Sequence, residues 1–100
     1  MYNVVVTPEV TDILIGYAQK CAIDNGIECA TNLVDSFDKA INSLETLPKR
    51  GIKKLQYIPA KYHIITFWKH LWLVYQVDHD NFTVYIDYLI DDRSNYRRLF

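Results

Sequence analysis

Leu71-Trp72-Leu73-Val74-Tyr75-Gln76-Val77-Asp78, then His79-Asp80-Asn81, then Phe82-Thr83-Val84-Tyr85-Ile86-Asp87-Tyr88-Leu89-Ile90 is the stretch that decides the fold. Two runs rich in aromatic and β-branched residues flank a short polar break, which is the spacing of a β-hairpin. In the first run Leu71, Leu73, Tyr75 and Val77 share a face, and Trp72, Val74, Gln76 and Asp78 share the other. In the second, Phe82, Val84, Ile86, Tyr88 and Ile90 alternate with Thr83, Tyr85, Asp87 and Leu89. Residues 61–68 form a third run of the same kind, joined to the first by Lys69-His70. The expectation is a three-stranded antiparallel meander. Its outer face should carry Gln76, Tyr85, Asp87 and Trp72.

Toward the N-terminus the period changes from two to between three and four. Residues 2–6 are β-branched and read as a short opening strand. Thr7-Pro8-Glu9 has the chemistry of a helix start, with a capping hydroxyl, a proline at the first turn and an acid at the positive end of the helix dipole. Val10, Ile13, Leu14, Tyr17, Ala18 and Cys21 line one stripe of that helix, and Asp24-Asn25-Gly26 should stop it. A second helix is expected from near Glu28, with Leu33, Val34, Phe37, Ala40, Ile41 and Leu44 on one face, ending at Pro48 and Gly51. Residues 49–60 read as an irregular loop. The predicted class is α+β, in the order β-α-α-β-β-β. An N-terminal helical hairpin packs on one face of an antiparallel sheet, because neither apolar stripe can be buried by its own helix.

With 100 residues, the chain is expected to form a single domain over 1–100. Half of it is hydrophobic, with 3 Gly and 3 Pro, which argues against disordered, collagenous and disulfide-scaffold classes. No apolar run reaches membrane-spanning length, and residues 1–6 carry no basic n-region, so a cytoplasmic protein is expected. Cys21 and Cys29 are accordingly expected as reduced thiols, acting as small core hydrophobes. The net charge of -1 conceals an asymmetry. Residues 1–48 hold seven acids and two lysines, whereas residues 49–100 hold nine bases and five acids. A local basic field is compatible with an anionic partner even when the whole chain is near neutral.

His63, His70 and His79 have no zinc-ligand spacing, and no glycine-rich phosphate loop is present, so neither metal nor cofactor is expected. The residues following the last strand bring Arg93, Tyr96, Arg97 and Arg98 to the edge of the sheet, and Lys53, Lys54, Lys61 and Lys69 come from neighbouring segments. Arginine offers a rigid fork for phosphate; tyrosine offers a stacking ring or a proton. The competing reading is a local surface pair of Arg93 with Asp91 or Asp92, with Arg97 and Arg98 solvated.

The ordered set of segments resembles the RelE/ParE superfamily of bacterial type II toxin-antitoxin toxins over nearly the whole chain. The resemblance rests on the opening strand with Thr7-Pro8, and on the helix end Ile41-Asn42-Ser43-Leu44-Glu45-Thr46-Leu47-Pro48-Lys49-Arg50-Gly51. It continues through Leu73-Val74-Tyr75-Gln76-Val77, Val84-Tyr85-Ile86-Asp87-Tyr88, Arg93, Tyr96 and Leu99-Phe100. It implies a toxin neutralised by a cognate antitoxin. Of its two modes of action, one is mRNA cleavage in the ribosomal A site and the other is poisoning of DNA gyrase without hydrolysis. In the nuclease mode Arg93 and Tyr96 match catalytic positions. Trp72 stands where an arginine is expected, and His63 and Ile65 stand where two lysines are expected. His63 or Tyr96 then handles the protons while Arg93 stabilises the charged phosphorane, and Lys53, Lys54, Lys61, Lys69, Trp72, Arg97 and Arg98 become RNA contacts. The expected function is growth inhibition by an mRNA endoribonuclease acting on the ribosome. The alternatives are a gyrase inhibitor, in which Trp72 and the C-terminal tail contact protein, and an inert interaction module of the same fold.

Overall fold

The computed structural model describes residues 1–46, 48, 61–91 and 93. Its elements are β1 (Asn3–Val6), α1 (Pro8–Asn25), α2 (Ile27–Thr46), β2 (His63–Trp68), β3 (Leu71–Asp78) and β4 (Thr83–Asp91). The architecture is α+β, as expected. Thr7 caps α1, its side-chain oxygen accepting from the Val10 amide, and Pro8 occupies the first turn. Gly26 alone separates the two helices, at φ 93°. A side chain at that φ would be strained, so glycine permits the reversal. The expected loop of residues 49–60 lies outside the described residues, as does Gly51.

The four strands form one sheet in the order β1-β4-β3-β2. β2, β3 and β4 are the antiparallel meander read from the sequence. β1, however, pairs with β4 in parallel, Asn3 opposite Thr83 through Val6 opposite Ile86, so the sheet is mixed and not antiparallel. The chain leaves β1 into the helical hairpin and does not turn back directly. Strand direction is therefore set by how the meander returns, which no local pattern in residues 2–6 encodes.

Both helices contribute to a single core with one face of the sheet. Val10 and Leu14 of α1 and Leu33, Phe37, Ala40 and Leu44 of α2 pack with Leu71, Leu73, Tyr75, Val84, Ile86 and Leu89. Phe37 meets Phe67 edge to face at 5.6 Å. Ile13 and Val34, expected on the buried stripes, are exposed. The expected strict alternation in β4 is also corrected. The register shifts between Val74 and Tyr75, leaving Asp87 as a bulged residue between the Tyr88 and Ile86 pairings. Beyond it the faces exchange, so Leu89 joins the helix-facing core while Tyr88 and Ile90 go to the opposite face. There they join Tyr62, Ile64, Val74 and Trp72 in a second apolar cluster. Gln76 donates to Asp87 at 2.6 Å, holding the bulged residue across the β3–β4 ladder.

Cys21 and Cys29 form a disulfide across the helical turn, with 5.7 Å between their Cα atoms. This overturns the expectation of two thiols. The one-residue turn faces the last turn of α1 against the first of α2 and brings the two sulfurs together. That consequence needs the hairpin geometry as well as the spacing.

Candidate functional site

Antiparallel pairing places the β2–β3 turn beside the end of β4, since Leu71 lies opposite Asp91. Lys69 and His70 form that turn, with Lys69 at φ 29°, a region L-residues rarely occupy. The distal part of the helical hairpin closes over the same end of the sheet. Between them is an open cavity of about 380 Å³. Tyr17, Lys20, Asp24 and the disulfide line it from the helices, and Trp68, Lys69 and His70 from the hairpin turn. Asp91 and Arg93 line it from the chain end of β4. Four basic side chains thus come from three segments, with two carboxylates among them.

Arg93 is the organised member of this set. Its Nε donates to Asp91 Oδ1 at 3.1 Å and a terminal guanidinium nitrogen donates to Oδ2 at 2.8 Å. The Arg93 amide also donates to Oδ1, at 2.9 Å. The local pair anticipated as the competing reading is therefore present. These hydrogen bonds from Arg93, ahead of its charge, hold the Asp91 carboxyl down at about 2. Asp91 is half-buried, whereas the Arg93 side chain is 68% exposed, so the fork stands at the cavity mouth on a half-buried anchor. Burial pushes the Tyr17 phenol up; the charge of Asp91 pushes the same way, and Arg93 opposes it. The Lys69 ammonium lies 5.5 Å from the centre of the Trp68 ring, a cation–π contact on the cavity wall.

The other residues read from the sequence divide into three groups. Arg93 and Lys69 are brought together at the cavity. His63 is not at this end: its ring stacks on Tyr75 at 5.4 Å, and it pairs with Tyr75 in the β2–β3 ladder. Tyr75 is four positions along β3 from Leu71, a separation of about 13 Å at the usual strand rise. Trp72 belongs to the cluster on the opposite face of the sheet, and Lys61 sits over the Tyr62 ring at 5.1 Å. Tyr96, Lys53, Lys54, Arg97 and Arg98 lie outside the described residues.

Tyr17, Lys20, His70 and Asp91 are cavity residues that the sequence reading did not select. His70 and Asp91 were accessible to it, because a hairpin with Leu71 opposite Asp91 puts Lys69-His70 beside Asp91. Tyr17 and Lys20 share a helix face by their spacing of three, but which strand end that face meets depends on tertiary packing. Among the described residues no group of three or more His, Cys, Asp or Glu side chains is placed to hold a metal ion. Nor is any helix among them long and apolar enough to cross a membrane. Compared with known protein families and with curated proteins, the chain matches none.

Proposed function

We propose that this chain is a RelE/ParE-like toxin that inhibits growth by cleaving mRNA on the ribosome, and that the cavity at the β2–β3 turn takes the scissile phosphate. The observation that carries the reading is the convergence of Arg93, Lys69, His70 and Lys20 on one open cavity from three separate segments. In this reaction the ribose 2'-hydroxyl attacks the adjacent phosphorus and the 5'-oxygen of the next nucleotide leaves. The products are a cyclic phosphate and a free 5'-hydroxyl. Negative charge grows on the phosphoryl oxygens, and a guanidinium fork already oriented by a carboxylate is suited to receive it. His70 brings an imidazole, a side chain able to carry a proton, to the cavity with Arg93, so His70 and not His63 is the proton carrier. Asp91 orients Arg93 and does not touch the substrate.

The cognate antitoxin is the partner we assign to the exposed apolar side chains of the helical hairpin, Ile13, Ile15 and Val34. Action on ribosomes places the protein in the cytoplasm. A second reading, gyrase inhibition without hydrolysis, draws support from the separation of His63 from the end of the sheet that carries Arg93. Induction followed by pulse labelling separates the readings. Cleavage predicts an early fall in amino-acid incorporation, and gyrase inhibition an early fall in thymidine incorporation. If neither falls while soluble protein accumulates, both are refuted in favour of an inert module.

A further inference from the structure

From Ile15 to Asn32 every residue is exposed or half-buried. Ile23 and Ile27, on either side of the turn, are 84% and 76% exposed. The distal turns of both helices therefore gain little from the core, which is the condition under which helix ends open locally. Two backbone hydrogen bonds close the turn: Gly26 N–H to the Ala22 carbonyl at 2.9 Å, and Cys29 N–H to the Gly26 carbonyl at 3.2 Å. The covalent tie is the Cys21–Cys29 disulfide. Both cysteines are half-buried, and both line the open cavity that holds Arg93, so a small reductant can reach their sulfurs from it. The same tip supplies Lys20, Asp24 and Asn25 to the cavity.

We propose that Cys21–Cys29 is a reversible thiol–disulfide site that controls the shape of the cavity at Arg93. Oxidised, the bridge holds the ends of α1 and α2 together as one wall of the cavity; reduced, it releases that wall. The reductant is of the dithiol class. Its thiolate attacks one cysteine sulfur to form a mixed disulfide, and the other cysteine leaves as a thiolate that takes a proton. The second thiol of the reductant then closes on its own sulfur and expels the remaining cysteine, which is protonated in turn. The protein disulfide gains two electrons and two protons, and the dithiol becomes a cyclic disulfide. The effect on RNA rests on the proposed function; the redox reaction and the loosening of the tip do not.

The test compares oxidised protein with protein treated with dithiothreitol under native conditions and then alkylated with iodoacetamide. Amide hydrogen exchange is followed by mass spectrometry. Reduction should yield two alkylated cysteines per chain. Exchange across residues 18–32 should speed by roughly ten-fold or more, while β3 and β4 keep their protection. Cys21→Ser and Cys29→Ser should each show the fast pattern without reductant, and oxidised glutathione added to reduced, unalkylated wild-type chain after removal of dithiothreitol should restore the slow one. A disulfide that survives native dithiothreitol treatment, or equal exchange in the two forms, overturns the proposal. Single-stranded RNA oligonucleotide binding, read by fluorescence anisotropy in reductant-free buffer, should weaken roughly ten-fold on reduction. Equal binding by both forms overturns the control of the cavity. Absence of binding in both forms overturns RNA contact at the cavity outside the ribosome, and the exchange result still decides the redox site.

Discussion

Replacing Phe37 by alanine tests whether the helical hairpin is held to the sheet as described. Phe37 is 7% exposed and belongs to the core shared by both helices and by β3 and β4. Truncating a buried phenylalanine costs about 3 to 5 kcal/mol, combining lost transfer energy with the cavity left behind. About 1 kcal/mol of that is the edge-to-face contact with Phe67, whose ring centre is 5.6 Å away. In urea, with a slope of about 1 to 1.5 kcal/mol per molar for a small domain, the midpoint should fall by about 2 to 5 M. A double-mutant cycle with Phe67→Leu isolates the ring contact and should return a coupling of about 1 kcal/mol. A loss below about 1 kcal/mol for Phe37→Ala would refute the packing, because no core phenylalanine is that cheap to remove.

Two further predictions concern the cavity. The folded Asp91 carboxyl is depressed from the ordinary 3.8 to about 2. Its contribution is therefore complete above about pH 4 and is lost as the pH falls from about 4 to about 2. Because Arg93 is mostly exposed, screening limits that contribution to about 1 kcal/mol, so Asp91→Asn should lower stability at neutral pH by that amount, leave it little changed near pH 2, and so flatten the acid limb of an unfolding series. His70→Ala should lower mRNA cleavage by roughly 100-fold with the fold intact, as expected for loss of a proton carrier. His63→Ala should instead lose part of the Tyr75 stack and stability while retaining cleavage. The reverse pattern in purified-ribosome cleavage and urea denaturation would move the proton carrier away from the cavity.

What the sequence showed of this fold was set by local periodicity, and what it hid was set by pairing. The β3–β4 hairpin was legible because alternation and the polar break Asp78 to Asn81 coincide. The Asp78 carboxylate, accepting from the Asp80 and Asn81 amides, closes that turn and is held below its ordinary range mainly by its bond from the Asn81 side chain. The bulge at Asp87 was not legible, because the run from Phe82 to Ile90 alternates without interruption and only its register against β3 exposes the extra residue. The parallel placement of β1 was hidden for the same reason. At the site, Arg93 and Lys69 were accessible from sequence because hairpin topology carries both to one end. His63 carries a suitable side chain, but the ladder seats it four positions away. Tyr17 and Lys20 needed the rotation of α1 about its own axis, which core packing decides.

The central claim is that Arg93 at the cavity mouth stabilises charge at a phosphate. The most direct measurement is ribosome-dependent mRNA cleavage, read by primer extension, for wild-type, Arg93→Ala and Arg93→Lys proteins at equal soluble concentration. Cleavage should fall by roughly 100-fold or more in Arg93→Ala, and Arg93→Lys should recover only part of it because lysine lacks the fork. Cleavage by Arg93→Ala at the wild-type rate would contradict the claim and leave Arg93 as a surface partner of Asp91.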